Sequence, residues 1–421
     1  MITAAQKILN KCEQLARFTE SPSKNVLSRR ALTEPMKDAN ALVAVWMEEV
    51  GFQTTIDNVG NLIGYAHQHK NAPMLVLGSH LDSVPNGGKY DGPLGVILAI
   101  EIFRDIDLAS LPFNVEIVAF SDEEGSRFQI KCTGSKAIAG LLEPSVLELK
   151  DELGISIREA IVNFGGNPDN IFDQRYKEVE LLGFFEFHIE QGITLEVEDV
   201  PVGIVSSIVG QTNMIVEFDG EVGHAGTISM HQRSDSLVAA ANFITAVESY
   251  ALRQKGMVAT VGKINNFPNV PNCISGKVQL SVDIRHANDE IRERAATDLT
   301  NTAYHIGRLR NQKATCEIIG NSKAVKCDAD LVTILKNALS DMPHCVLQSG
   351  AGHDAMIMGE VAPVAMLFIR CEKGISHRPE ENVDVVDVAA ALQAGKAFVN
   401  EIIVCQMSIS IENEVKEMVK Q

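Results

Sequence analysis

Hydrophobic residues recur along the chain with two different rhythms, and the change of rhythm divides it. Up to about residue 208, short continuous apolar runs alternate with helical spacings. Residues 74–77 (MLVL) and 115–120 (VEIVAF) read as buried strands, and 184–192 (FFEFHIEQG) is strand-like as well. Helices are expected over 1–18, over 38–50 closed by Gly51, and over 94–106 after Pro93, with small strands near 52–56 and 61–65. Residues 141–183 are more polar and read as mostly helical. Near Gly210 the period becomes two. Met214, Val216 and Phe218 share one face of 211–219, and Val278, Leu280, Val282 and Ile284 share one face of 277–285. Helices over 233–252 and 289–309 and a strand near 314–319 complete this part, and the first rhythm resumes with 329–339 and a strand over 364–370.

Strands alternating with helices predict an α/β fold: a catalytic domain with a mixed, mostly parallel sheet flanked by helices. The period-two segment predicts an inserted α+β module with antiparallel pairing. The expected domains are 1–208 and 323–421 for the two parts of the catalytic domain and 209–322 for the insertion. No internal repeat interrupts this pattern.

Composition narrows the function classes. Apolar residues make up 45% of 421 residues, enough to build cores, so disorder is not expected. A formal net charge of −18 without a basic stripe argues against nucleic-acid partners. The eight cysteines are scattered with no Cys-x-x-Cys pair, which favours free thiols in a reducing compartment over a disulfide framework. The first helix carries both charge signs and lacks the apolar core of a signal peptide, and no apolar run is expected to reach membrane-span length. The expectation is a cytoplasmic protein with no membrane partner.

Candidate chemistry sits where strands end, the place sites collect in α/β sheets. His80 and Asp82 follow the 74–77 run, and Asp91 lies in the Gly-rich turn GGKYDGPLG. Ser121-Asp122-Glu123-Glu124-Gly125 follows the 115–120 strand, His188 lies in FFEFHIEQG, and His377 follows the 364–370 strand. Two His-plus-carboxylate sets with one shared acid suit two divalent ions, which would polarise an oxygen and lower the pKa of a water. Nitrogen and oxygen donors without sulfur fit zinc, manganese or cobalt. Of the adjacent Glu123 and Glu124, one can bind metal at a turn while the other takes a proton. Asp82 can orient His80 from behind. Singly, each residue reads as a surface or packing group; the joint pattern carries the inference.

GSHLDSV with YDGPLGV, SDEEGSRF, HIEQG, GHAGT, SGAGHDAM and GISHRPEE resemble the hydantoinase/carbamoylase branch of the dinuclear metallopeptidase and aminoacylase superfamily, over about residues 38–400. IVGQT and SGAGHDAM resemble the allantoate amidohydrolases in particular. The resemblance implies metal ligands His80, Asp91 and His188, with Asp91 bridging, and Glu124 and His377 completing the second ion. It implies Glu123 as general base, and His224 as an oxyanion donor acting in trans across a homodimer whose inserted domain is also a lid. It further implies that Arg285 and Asn272 hold a substrate carboxylate, with Gln191 and Gln211 near the site. The substrate so implied is a small ureido carboxylate, allantoate first, with N-carbamoyl-L-amino acids and β-ureidopropionate as rivals. An aminopeptidase and an inactive metal-binding scaffold are the readings further off. Two departures stand out: Ile228-Ser229-Met230 lacks the proline usual after the HAGT segment, and Arg378 follows His377 where relatives carry a small or amide residue. His353 and Asp354 match a motif without a derivable role.

Overall fold

The computed structural model describes the backbone of residues 2–23, 26–67, 69–70, 72–172, 175–177 and 179–420, with the side chains of 409–420 outside the description. Residues 1–206 together with 327–421 cluster as one compact unit, and 207–326 as a second.

The first unit is built on a sheet in the order Gln53–Ile56, Leu62–Ala66, Asn114–Phe120, Met74–His80, Leu181–Ile189, Val364–Ile369, Val202–Ile208, with His344–Ser349 also pairing with the last. Asn114–Phe120, Met74–His80, Leu181–Ile189 and Val364–Ile369 run parallel, and antiparallel strands flank them on both sides. This is the mixed, mostly parallel sheet that the apolar runs predict. Met74–His80, Asn114–Phe120 and Val364–Ile369 are buried along their whole length, which is why apolar residues dominate their sequences. The helix Pro93–Ile102 is also buried all round, packed against Met74–His80 and Leu181–Ile189. The opening strand is longer than its apolar run: it continues through Gly78 and Ser79 and delivers His80 as its last residue.

Three expectations are corrected. Residues 141–183 are not mostly helical; among the described residues they hold one α-helix, Ile157–Phe164, and a short 3-10 turn, Pro144–Glu148. Their backbone is held instead by turns such as the one at Asp151, whose carboxylate accepts from Leu153 and Ile155. The strands Val202–Ile208, Val258–Phe267 and His344–Ser349 are additional to those the pattern shows. Val258–Phe267 is largely exposed, so it lacks the apolar stripe that marks a strand. Finally, Val385–Ser408 is long and apolar enough to cross a membrane by length and composition alone. Its helix packs against Ala4–Leu15, Pro93–Ile102 and Ala329–Ala338, with Val388, Ala391, Phe398 and Val399 buried.

The second unit pairs Lys313–Ser322, Gly210–Asp219, Lys277–His286 and Val258–Phe267 in that order, all antiparallel. Helices Ser236–Leu252 and Asp289–Leu309 cover one face, their first turns capped by Asp235 and Asn288. Met214, Val216 and Phe218 meet Val278, Leu280, Val282 and Ile284 in its core. Each such side chain contributes about 1.5–3 kcal/mol by leaving water. The opposite face of the same strands therefore holds the polar residues, Gln211 and Arg285 among them.

Candidate metal centre and substrate-contact residues

Three strand ends and the loop bearing His377 converge on Asp91. Its Oδ1 lies 3.0 Å from His188 Nε2 and 3.7 Å from His80 Nε2, and its Oδ2 lies 3.1 Å from His377 Nε2. His377 Nε2 is also 3.4 Å from Glu124 Oε1. Potential donor atoms of His80, Asp91 and His188 lie within 4.8 Å of one another, and so do those of Asp91, Glu124 and His377. The two oxygens of Asp91 thus face two different donor sets.

The imidazoles are oriented from behind. His80 Nδ1 lies 3.0 Å from the Asp82 carbonyl, and His188 Nδ1 lies 2.9 Å from the Ile189 carbonyl. A ring nitrogen against a carbonyl must donate, which leaves each Nε2 as the metal-facing lone pair. Asp82 lies beyond the strand, and its carboxylate has a further job. Its oxygens accept the Glu123 and Glu124 backbone N–H groups at 3.1 Å each, so it grips the acidic turn while its carbonyl takes the imidazole. Thr133 and Gly134 brace that turn from the other side, their N–H groups donating to the Asp122 and Ser121 carbonyls.

Several site residues hold left-handed backbone: Asp122 at φ 60°, Gln191 at 58° and His377 at 58°. Such conformations cost about 1–3 kcal/mol each and persist where the surroundings over-determine them. Gly92, at φ 86°, is required for a second reason: a Cβ there would lie 2.5 Å from the His80 ring.

The electrostatics call for cations. His80, Asp82, Asp91, Glu123, Glu124 and His188 are all buried. Burial alone would raise the Asp91 carboxyl, but hydrogen bonds from His188, His377 and His80 hold it well below the carboxylate range. Burial, with the charges of Asp91 and Glu123, pushes Glu124 up to about 7. Burial would lower the His188 imidazole, yet Asp91 brings it up to about 9. Protons are doing here what divalent ions do better, so the donor chemistry fits a dinuclear metal centre.

Around this cluster stand residues whose contacts only the structure gives. Gln191 Nε2 donates to Asp91 Oδ2 at 2.9 Å and to Ser376 Oγ at 3.1 Å, so its amide nitrogen is engaged with the ligands themselves. His353 is buried, bonded to Ser349 Oγ at 2.7 Å, and packs edge-on against the His188 ring at 4.4 Å. Asp354 accepts from Ser135 Oγ at 2.6 Å. Glu186, buried in the strand beneath, accepts from Ser79 Oγ and the Ala355 N–H. A charged residue inside the apolar run FFEFHI was the available signal for Glu186. Arg378 is exposed beside Glu380.

The second unit carries the other motif residues. The two-residue ladder Gly223–His224 with Cys273–Ile274 sets His224 opposite Cys273, next to Asn272, whose carbonyl accepts the Ala225 N–H at 3.0 Å. His224 is exposed, and its Nδ1 accepts from the Gly226 N–H at 3.1 Å. In place of the missing proline, Arg233 ties the turn by donating to the Ala225 and Ile228 carbonyls. On the polar sheet face Arg285 stands opposite Gln211, and both reach Asp283: Arg285 by two donors at 3.0 and 2.9 Å, Gln211 at 2.6 Å.

Fold and site together define a metal-site hydrolase of the strand-end type, and the comparisons with known proteins agree. The model of peptidase family M20/M25/M40 matches residues 76–401, and the chain belongs to that family. N-carbamoyl-L-amino-acid amidohydrolase of Pseudomonas sp. (strain NS671) is 37% identical over 385 residues, 89% of this chain and 93% of that protein. Allantoate deiminase 1 of Glycine max is 36% identical over 430 residues, 93% of this chain and 89% of that protein. A crystal structure of a hydantoinase/carbamoylase family amidase from Burkholderia multivorans, 31% identical, matches with a TM-score of 0.86 over 96% of this chain and 97% of that one. Within the family the chain falls with the hydantoinase/carbamoylase amidohydrolases, enzymes of C–N bonds other than peptide bonds, as the motifs imply.

Proposed function

We propose that the chain hydrolyses a ureido C–N bond of allantoate with two divalent ions. His80, Asp91 and His188 would hold one; Asp91, Glu124 and His377 would hold the other. The observation that carries this reading is the double use of Asp91, whose Oδ1 faces His80 and His188 while its Oδ2 faces His377. Zinc, manganese and cobalt all suit the donor set. Such ions supply Lewis acidity, polarising a carbonyl oxygen and lowering the pKa of water.

The chain's own residues do the rest. Glu123, adjoining the ligand Glu124, takes the proton from the attacking water and delivers it to the leaving nitrogen. Water's oxygen bonds to the carbamoyl carbon, the C–N bond breaks, and the carbamate released decomposes to ammonia and carbon dioxide. Arg285 and Asn272 hold the substrate carboxylate, and Asp283, by accepting from Nε and Nη2 of Arg285, fixes the plane of the guanidinium. Gln191 and Gln211 add polar contacts. His224 stabilises the developing oxyanion from the partner subunit of a homodimer. Its Nδ1 accepts from Gly226, so in the neutral ring the proton sits on Nε2, the form an oxyanion donor needs. In this reading the inserted module, expected over 209–322 from its period-two pattern, serves as lid and dimerisation domain. Free thiols at all eight cysteines support a cytoplasmic setting.

Identity does not separate the two named activities, at 37% and 36%. Allantoate is preferred on IVGQT and SGAGHDAM; the Pseudomonas relative favours N-carbamoyl-L-amino acids as the second reading. Ammonia release from allantoate, N-carbamoyl-L-amino acids and β-ureidopropionate decides. The largest kcat/KM is expected on allantoate. A larger value on an N-carbamoyl amino acid would move the substrate and keep the machinery, whereas no turnover with two ions bound would return the scaffold reading.

A further inference from the structure

Glu381 stands at the end of GISHRPEE, is almost wholly buried, and has no part in the chemistry above. Its Oε1 accepts the backbone N–H groups of Tyr90 and Asp91, at 2.8 and 3.1 Å. Its Oε2 lies 2.9 Å from Ser376 Oγ, and the same hydroxyl lies 2.9 Å from Asp91 Oδ2. Glu381 therefore holds Asp91 directly by its backbone, and both carboxylates flank the one Ser376 hydroxyl, whose single proton they share. Glu381 also ties the loop bearing Asp91 to the loop bearing His377, segments far apart in sequence. The approach depends on Gly88, where a Cβ would come within 2.1 Å of the Glu381 carboxyl. Neighbouring Glu380, by contrast, is exposed.

We propose that Glu381 is a positioning residue that sets the shared carboxylate of Asp91 in place before any metal arrives, and that metal affinity depends on it. The proposal rests on the metal-centre reading given above. A carboxylate that must serve two ions at once tolerates little rotation, because a turn that favours one ion draws it away from the other. A buried acceptor with two backbone donors fixes the Asp91 main chain, and Ser376 fixes the angle of its side chain. Residues that orient ligands in this way typically alter metal affinity by about 10- to 100-fold when removed.

The test is Zn²⁺ binding by the metal-stripped full-length chain, measured by competition with a chromophoric chelator, with Tm of the stripped protein recorded alongside. Glu381→Ala is expected to lose affinity for both ions by about 10- to 100-fold. Glu381→Gln is expected to stay close to wild type, because its amide oxygen still accepts from Tyr90 and Asp91 and its amide nitrogen can donate to Ser376. Wild-type affinity in Glu381→Ala overturns the proposal, and so does a Glu381→Gln variant as weak as Glu381→Ala. If Glu381→Ala does not fold, Ser376→Ala decides, since it removes only the hydroxyl between the two carboxylates: weakened binding supports the proposal and wild-type binding overturns it. A wild-type chain that takes up no Zn²⁺ defeats the metal-centre reading, and the proposal with it. Wild-type uptake with unaltered variants defeats the proposal alone.

Discussion

The two groups of motif residues are held in opposite ways. In the first unit, His80, Asp91, Glu124 and His188 are buried and the exposed His377 is held against Asp91 and Glu124, so that each of the five is bonded to backbone, to a buried carboxylate or to another of the set. In the second, His224 and Asn272 are exposed, and Gln211 and Arg285 are half-buried on a sheet face with Asp283 as a common partner. A buried, cross-braced set is suited to holding ions in one geometry, since moving any ligand disturbs several bonds. An exposed set braced only locally is suited to groups that meet substrate and release product. Damage to the first should therefore appear in metal content, and damage to the second in turnover alone.

Glu123→Gln should break this division most sharply. Glu123 belongs to the buried set, yet in the proposed mechanism it moves a proton instead of binding an ion. The variant should retain both ions and lose about a hundred- to ten-thousand-fold in kcat, as general-base removal does. Metal analysis beside single-turnover rates checks this; a near wild-type rate with two ions bound removes Glu123 as the base.

Arg285→Lys sharpens the other side. A lost charged hydrogen bond costs about 1.5–3 kcal/mol, so kcat/KM on a carboxylate substrate should fall clearly while metal content stays unaltered. On an analogue whose carboxylate is a neutral amide, wild type should be poor and the variant little worse. Equal losses on both substrates would show that Arg285 supports the second unit's fold and does not clamp a carboxylate.

A smaller effect concerns a buried acid of the first unit that lies outside the centre. Burial would raise Glu116, but hydrogen bonds from His67, Arg175 and Tyr176 hold its carboxyl below the usual range. A depressed folded pKa contributes stability above the unfolded value of about 4.3 and loses it as pH falls through the folded value. Glu116→Gln should therefore lower Tm at neutral pH, and the gap should close on acidification below about pH 4. A gap that stays constant down to the acid limit would contradict the assignment. Metal content at neutral pH should not move.

Much of the first unit is legible in the sequence because its chemistry follows buried strands: MLVLGSH, VEIVAF and FFEFHI announce both the strand and what it delivers. The alternation in 211–219 and 277–285 is equally legible, since one face packs and the other does not. What escapes is what only long-range packing creates. The Tyr90 N–H and the Glu381 carboxylate that accepts it are 291 positions apart, and nothing in the pair Glu380-Glu381 says which one is buried. Asp82 is legible as a partner of His80, but its grip on the Glu123 and Glu124 backbone requires the fold. Val258–Phe267 escapes for a simpler reason: an exposed edge strand carries no apolar stripe.

The central claim is that one carboxylate serves two ions, and metal stoichiometry tests it most directly. The full-length chain, stripped and reloaded with a single divalent metal, should bind two ions per chain, and Asp91→Ala should lose both together, with Tm of the stripped variant showing that it is folded. One ion per wild-type chain, or two retained by a folded Asp91→Ala, would contradict the account.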